Sequence, residues 1–197
     1  MRVLVACEYS GTVRDAFTAK GHYAMSCDLL PTESEGPHYQ GDVFDVINDG
    51  WDLMVAHPPC TYLSNAGARW LYPKGILNQD RYAKGLEAKS FFMALLNADI
   101  PKICVENPKP SLAYNLPKHT QKVQPYEFGH PISKGTLLWL KNLEPLNPTK
   151  HVDIEGYLCG SNTSRNKNKP VLGKSAKERS KFWSGIARAM ANQWSNE

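Results

Sequence analysis

The chain has 197 residues, 42% of them hydrophobic and 21% charged, which suits one ordinary core and falls short of two independent domains. No apolar stretch approaches the roughly 20 residues that cross a bilayer, and "MRVLVACEYSG" enters a strand-like pattern without an apolar leader, so a soluble protein of the cytoplasm is expected. The five cysteines (Cys7, Cys27, Cys60, Cys104, Cys159) are odd in number and never spaced C-x-x-C, which argues against a disulfide framework and a structural zinc site; no metal is expected.

The formal net charge of +4 is concentrated in one place. Between Ser161 and Met190 the bases Arg165, Lys167, Lys169, Lys174, Lys177, Arg179, Lys181 and Arg188 face the single acid Glu178, and the remainder of the chain is slightly acidic. Residues 150–180, rich in Asn, Ser, Lys and Arg, read as a basic surface loop with the composition that tracks phosphates, Arg165, Lys167 and Lys169 being the leading contacts. A solvated basic surface is the plainer alternative.

In chain order, "MRVLVACEY" reads as a buried strand and "SGTVRDAFTAKGH" as a helix with Val13 and Phe17 inward, closed by Gly21. "YAMSCDLL" is a second strand ending at an aspartate. "WDLMVAHPPC" is a third, its run of Leu53, Met54, Val55 and Ala56 as apolar as a strand covered on both faces. A helix is predicted from about Asn78 to Asn97, with Tyr82, Leu86, Phe92, Leu95 and Leu96 along one side. "IPKICVENPKPS" repeats the strand-then-proline pattern, "GTLLWL" is strand-like, and "ERSKFWSGIARAMANQW" is the last helix. Strands alternating with helices predict an α/β fold on a mainly parallel sheet.

In such a sheet a ligand lies beyond the carboxyl ends of the strands. Glu8, Tyr9, Ser10 and Gly11, then Asp28, then His57 to Cys60, then Glu106 to Pro108 should therefore gather in one cleft. The Gly11 turn and Asp28 at the next strand end suit a nucleoside, Asp28 accepting from ribose hydroxyls and Asp42 of "GDV" from an adenine amino group. "YSGTVRD" has one glycine where a dinucleotide fingerprint has three, which speaks against a nicotinamide cofactor. Both aspartates have a second reading as turn or cap residues.

The Gly turn of "EYSG", the acid of "CDLL", the "GDV" aspartate, "DLMVAHPPCTYLS" and "ICVENP" follow one another in a familiar order. The chain resembles the S-adenosylmethionine-dependent cytosine-C5 DNA methyltransferases, in the abbreviated form found in phages and prophages, over roughly residues 1 to 140. The resemblance implies a Rossmann-like methyltransferase fold with helices on both faces of the sheet, forming a single domain. It implies S-adenosylmethionine held by Glu8, Tyr9, Ser10, Gly11, Asp28, Leu29, Asp42, Val43 and Pro58. Cys60 of Pro-Pro-Cys would be the nucleophile and Glu106 of Glu-Asn the acid, with His57, Pro59, Ser64, Asn107, Lys134 and Thr136 toward the substrate.

The chemistry explains the residue types. Carbon 5 of cytosine is a poor nucleophile until a thiolate adds to carbon 6, and a carboxyl group at N3 meets the charge that builds there. The prolines fix the loop that carries the thiol. Amino-group methyltransferases place Asn, Asp or Ser where His57 stands and an aromatic ring at Cys60, and zinc deaminases need a second thiolate where Leu63 stands, so neither rival fits.

The family's Gln-x-Arg-x-Arg segment is missing, leaving Lys134 and Thr136 as the only substitutes, and about 40 residues between Leu140 and the last helix leave no room for a large target-recognition domain. DNA, single-stranded or duplex, is the expected partner, with short or low sequence specificity. Trp70, Tyr72, Phe182 and Trp183 are candidates to stack on bases, and Trp139 is read as core. The alternatives are a catalytically silent binding module, regulatory or counter-defence in role, and the same chemistry on RNA or a free pyrimidine nucleotide.

Overall fold

The computed structural model describes residues 1–158 and 182–195. Most of the basic stretch, including Arg165, Lys167 and Lys169, lies outside the described residues, as does Cys159. The elements in chain order are β1 (Arg2–Ala6), α1 (Thr12–Thr18), β2 (Tyr23–Asp28), β3 (His38–Gln40), β4 (Leu53–Ala56), α2 (Gln79–Leu96), β5 (Lys102–Asn107), β6 (Gln121–Val123), β7 (Ile132–Ser133), β8 (Thr136–Lys141), β9 (Gly156–Tyr157) and α3 (Ser184–Trp194).

A seven-stranded sheet runs in the order β3-β2-β1-β4-β5-β8-β6. β3, β2, β1, β4 and β5 pair in parallel, while β8 is antiparallel to both β5 and β6. The order reverses between β1 and β4, the switch point where this Rossmann-like α/β architecture opens a crevice.

Strand periodicity explains the two cores. Val3, Val5, Leu53, Val55 and Cys104 face one side, with Val13 and Phe17 of α1 and Ile186, Met190 and Trp194 of α3. Leu4, Ala6, Met54, Ala56, Ile103 and Val105 face the other, against Phe92 and Leu95 of α2. The central strands are therefore continuous in apolarity because both of their faces are covered, and helices lie on both sides as expected.

Helix α2 starts where the sequence places it, because the Asn78 side chain accepts from the Arg81 amide at 3.0 Å. Its inner side differs by one position. Leu86 is exposed, and Gly85 faces inward because the Tyr114 ring fills the space a side chain would need. The last helix begins later than expected. Phe182 and Trp183 precede it, Trp183 with an extended backbone, and Gly185 lies tight against the Phe128 carbonyl.

α3 is pinned by an acid-sensitive contact. The Gly185 amide donates to Nε2 of His130 at 2.9 Å, so that nitrogen must stay unprotonated. Burial, then Arg188, lowers the His130 pKa from its ordinary value; burial, the N-terminal amine and Lys20 do the same for His22. A histidine with a depressed folded pKa stabilises the native state above its unfolded pKa of about 6.5 and loses that contribution as the pH falls through the folded value. Urea unfolding followed from pH 7.5 downward should show stability falling below about pH 6.5, with a shallower fall in His130→Gln, whose amide oxygen accepts at any pH. Identical slopes in the two proteins would exclude His130 as a source of the loss.

Candidate active site

The carboxyl ends of β1, β2, β4 and β5 meet along one edge of the sheet, as the register Ala6↔Cys27, Ala6↔Ala56 and Ala56↔Val105 requires. Two features sit on this edge: a cavity over β1 and β2, and the Pro-Pro-Cys loop that follows β4, the candidate reactive loop.

The cavity, about 160 Å³, is lined by Cys7, Cys27, Asp28, Leu29, Gly41, Asp42, Val43, Pro59 and Phe91. Asp28, Leu29, Asp42 and Val43 were expected here from sequence. Both aspartates also serve the local backbone, Asp28 accepting from the Leu30 amide at 2.9 Å and Asp42 from the Phe44 amide at 3.0 Å. These side chains therefore fix their own loops while edging the cavity. Burial, reinforced by Asp28, pushes the Cys7 thiol up to about 12, so it stays protonated and unreactive. Cys7 also holds φ at 58°, a left-handed conformation that bends the chain out of β1.

The residues after Cys7 do something else. Glu8 is buried, and its carboxylate accepts from the Val13 amide at 2.8 Å, the Arg14 amide at 3.2 Å and the Ser10 hydroxyl at 3.2 Å. It caps α1. Tyr9 accepts at its carbonyl from the Glu33 amide, and Gly11, at φ 73°, lies against Ser34 and Arg14. The glycine lets the β2–β3 connection approach α1. None of Glu8, Tyr9, Ser10 and Gly11 lines this cavity, and of the two prolines it is the exposed Pro59, with Pro58 buried, that does.

The reactive loop leaves β4 at His57, whose amide donates to the Ala6 carbonyl at 2.9 Å. The Ser64 amide donates to the Cys60 carbonyl at 2.9 Å and closes a turn around Thr61 to Leu63. Two further bonds lace the loop to the segment after β5: the Asn65 amide to the Lys109 carbonyl at 2.8 Å, and the Ser111 amide to the Leu63 carbonyl at 2.7 Å. Arg81 of α2 donates to the Thr61 carbonyl at 3.0 Å and covers the Tyr62 ring. Cys60 is partly exposed. The sequences around Cys60 and Glu106 are thus one folded unit, although the two residues are far apart in the chain.

Glu106 and Asn107 end β5. Glu106 Oε2 lies 3.3 Å from Nδ1 of His57, with 14% and 12% of the two side chains exposed. Asn107 is fully buried, and its amide nitrogen donates to the Pro58 carbonyl at 3.5 Å. Thr136 begins β8, one position before Leu137, which pairs with Asn107, so Thr136 and nearby Lys134 belong to the same edge; the Thr136 hydroxyl is buried and donates to the Lys134 carbonyl at 3.4 Å. Phe182 packs on His57 with ring centroids 4.6 Å apart. Trp70 and Tyr72, just beyond the reactive loop, are 57% and 50% exposed, and Arg69 lies 4.9 Å over the Trp70 ring. Trp139 is core, donating to the Pro117 carbonyl at 2.8 Å. Among the described residues no group of histidines, cysteines and acids could hold a metal ion, and no helix is long and apolar enough to cross a membrane.

Sequence reasoning missed Cys7, Cys27, Gly41 and Phe91 in the cavity wall. Phe91 had a signal, since it adjoins the inward Phe92 on a helix.

No family model matches the chain, and no curated protein matches it. Among solved structures it is similar to a protein described as a DNA modification methyltransferase encoded within an E. coli prophage, at 14% identity and TM-score 0.46, over 78% of this chain and 52% of that one. It is also similar to the Entamoeba histolytica methyltransferase EhMeth, at 15% identity and TM-score 0.48, over 77% of this chain and 57% of that one. The chain thus spans little more than half the length of either. Both likenesses concern the fold alone.

Proposed function

We propose that the protein transfers a methyl group from S-adenosylmethionine to carbon 5 of cytosine in DNA, through a covalent adduct on Cys60. The observation that carries this reading is the continuity of the reactive loop. Pro59 is a wall of the cavity, Cys60 is the next residue, and His57 of the same loop is paired with Glu106.

The cavity fits the nucleoside half of that cofactor. Asp28 and Asp42 offer acceptors for sugar hydroxyls and an amino group, and Leu29, Val43, Pro59 and Phe91 offer apolar walls for a purine. Among the described residues its wall carries no base, and the Glu8 carboxylate already occupies α1 amides that a pyrophosphate would need, which disfavours a dinucleotide and suits a phosphate-free, sulfonium-bearing group. When bound, S-adenosylmethionine supplies an electrophilic methyl group.

This chain's residues do the rest. The Cys60 thiolate adds to carbon 6 of the ring, Glu106 gives its proton to N3, and carbon 5 gains the electron density that takes the methyl. Loss of the carbon 5 proton to a base then releases the thiolate, and the N3 proton returns to Glu106. Exposed Trp70 with Arg69 offers a stacking surface for an unpaired base, which favours DNA over a free nucleotide.

The test is transfer of labelled methyl from S-adenosylmethionine to single-stranded DNA, duplex DNA, RNA and dCMP. Label on carbon 5 of DNA cytosine is expected, with Asp28→Ala raising the Kd for the cofactor about tenfold or more through lost hydrogen bonds. Label on another substrate alone would correct the substrate, and cofactor binding without any transfer would favour a binding module.

A further inference from the structure

We infer that His57 is the positioning residue of Glu106, holding its carboxylate in one orientation through Nδ1. The mechanistic use of the pair rests on the methyl-transfer reading, whereas the pair itself does not.

The geometry is set by the strands. His57 directly follows β4, Glu106 is the fifth residue of β5, and the register Ala56↔Val105 brings the two side by side across 49 residues of chain. The ring is fixed on three sides: its own amide is bonded to Ala6 of β1, Phe182 packs on its face, and Nδ1 meets Glu106 Oε2 at 3.3 Å. Among the described residues the titratable group paired with the ring is Glu106 from β5; β1 presents a backbone carbonyl and the segment before α3 presents the uncharged Phe182. Nε2 is buried with no hydrogen-bond partner among the described residues. A buried ring nitrogen without a protein partner is one that water or a bound base would meet.

With Glu106 ionised, Nδ1 carries the hydrogen and donates. With Glu106 protonated on its other oxygen, a neutral ring keeps its Nδ1–H on Oε2, and this carboxylic acid is the form that donates to N3 of a pyrimidine. When N3 takes that proton, the carboxylate left behind is again held by Nδ1–H, and the proton returns along the same path when the thiolate leaves. A carboxylate held this way keeps one orientation through both protonation states.

The decisive measurement is the His57 ring tautomer, read from its nitrogen shifts by NMR in the wild type and in Glu106→Leu. The Nδ1–H form is expected in the wild type and its loss in Glu106→Leu, and the same tautomer in both proteins would overturn the inference. This readout stands even if no methyl transfer occurs, so failure of the function and failure of the pair are distinguishable. In the active protein, His57→Asn should keep kcat within about tenfold because its amide still donates to Glu106. His57→Phe should lower kcat about 100-fold with cofactor affinity unchanged. Wild-type kcat and pH profile in His57→Phe, or equal loss in both variants together with loss of cofactor binding, would reduce the histidine to packing.

Discussion

Cys60→Ala should lower methyl transfer by roughly 10⁴-fold or more, to background, with cofactor binding unchanged. The side chain is partly exposed and its loop is held by backbone bonds at Ser64, Asn65 and Ser111, so removing the thiol should leave the fold intact. Glu106→Gln should cost about 10²- to 10⁴-fold, because an amide hydrogen-bonds N3 without giving it a proton. A fluorinated substrate separates the two roles. After methylation, carbon 5 must lose its other substituent as a cation, which hydrogen can do and fluorine cannot. DNA containing 5-fluorocytosine should therefore accumulate as a complex with the wild type that survives denaturation, form none with Cys60→Ala, and form slowly with Glu106→Gln. A denaturation-resistant complex with Cys60→Ala would move the nucleophile elsewhere and end the proposed mechanism.

What could be read in advance followed the strength of the local pattern. β1, β4 and β5 were legible because a strand covered on both faces must be apolar throughout, and Pro-Pro-Cys and Glu-Asn were legible because they stand where such strands stop. β3, β6, β7 and β9 were not, being two or three residues long and held by pairing that no local periodicity announces. Within the site, the side chains that bond near neighbours kept part of their expected place, as Asp28 and Asp42 did. Those defined by register did not: His57, expected toward the substrate, takes Glu106 as its partner once β4 and β5 are set side by side. Glu8 shows the converse, since an acid at a strand end suits a ligand and a helix cap equally, and only the positions of the Val13 and Arg14 amides decide between them.

Arg14 is the residue whose importance sequence hid most completely, and its replacement should have the largest effect on stability. On a short helix it reads as a surface base, yet it is fully buried. Nε pairs with Asp15 at 2.8 Å; Nη1 donates to the hydroxyls of Ser26 at 3.2 Å and Thr32 at 3.3 Å; Nη2 donates to the Ser34 hydroxyl at 2.6 Å and to the carbonyls of Ser34 and Glu35 at 3.2 and 2.9 Å. One guanidinium thus ties α1, β2 and the β2–β3 connection together. Asp15 is half exposed, so the ion pair itself is weak and the carbonyls and hydroxyls carry the energy. Arg14→Leu strands the buried Ser26 hydroxyl, unties the partly buried Thr32 and Ser34, and should destabilise the protein by about 3 kcal/mol, which lowers Tm by roughly 6–12 °C in a chain of this size. Arg14→Lys cannot span the same acceptors from one ammonium and should recover only part of that loss. The β2–β3 connection begins with Leu29, a wall of the cavity, so both variants should also bind S-adenosylmethionine more weakly at temperatures where they are fully folded. Stability within about 0.5 kcal/mol of wild type in Arg14→Leu would mean that the connection holds itself, and a stability loss with unchanged cofactor affinity would mean that Leu29 keeps its place without Arg14.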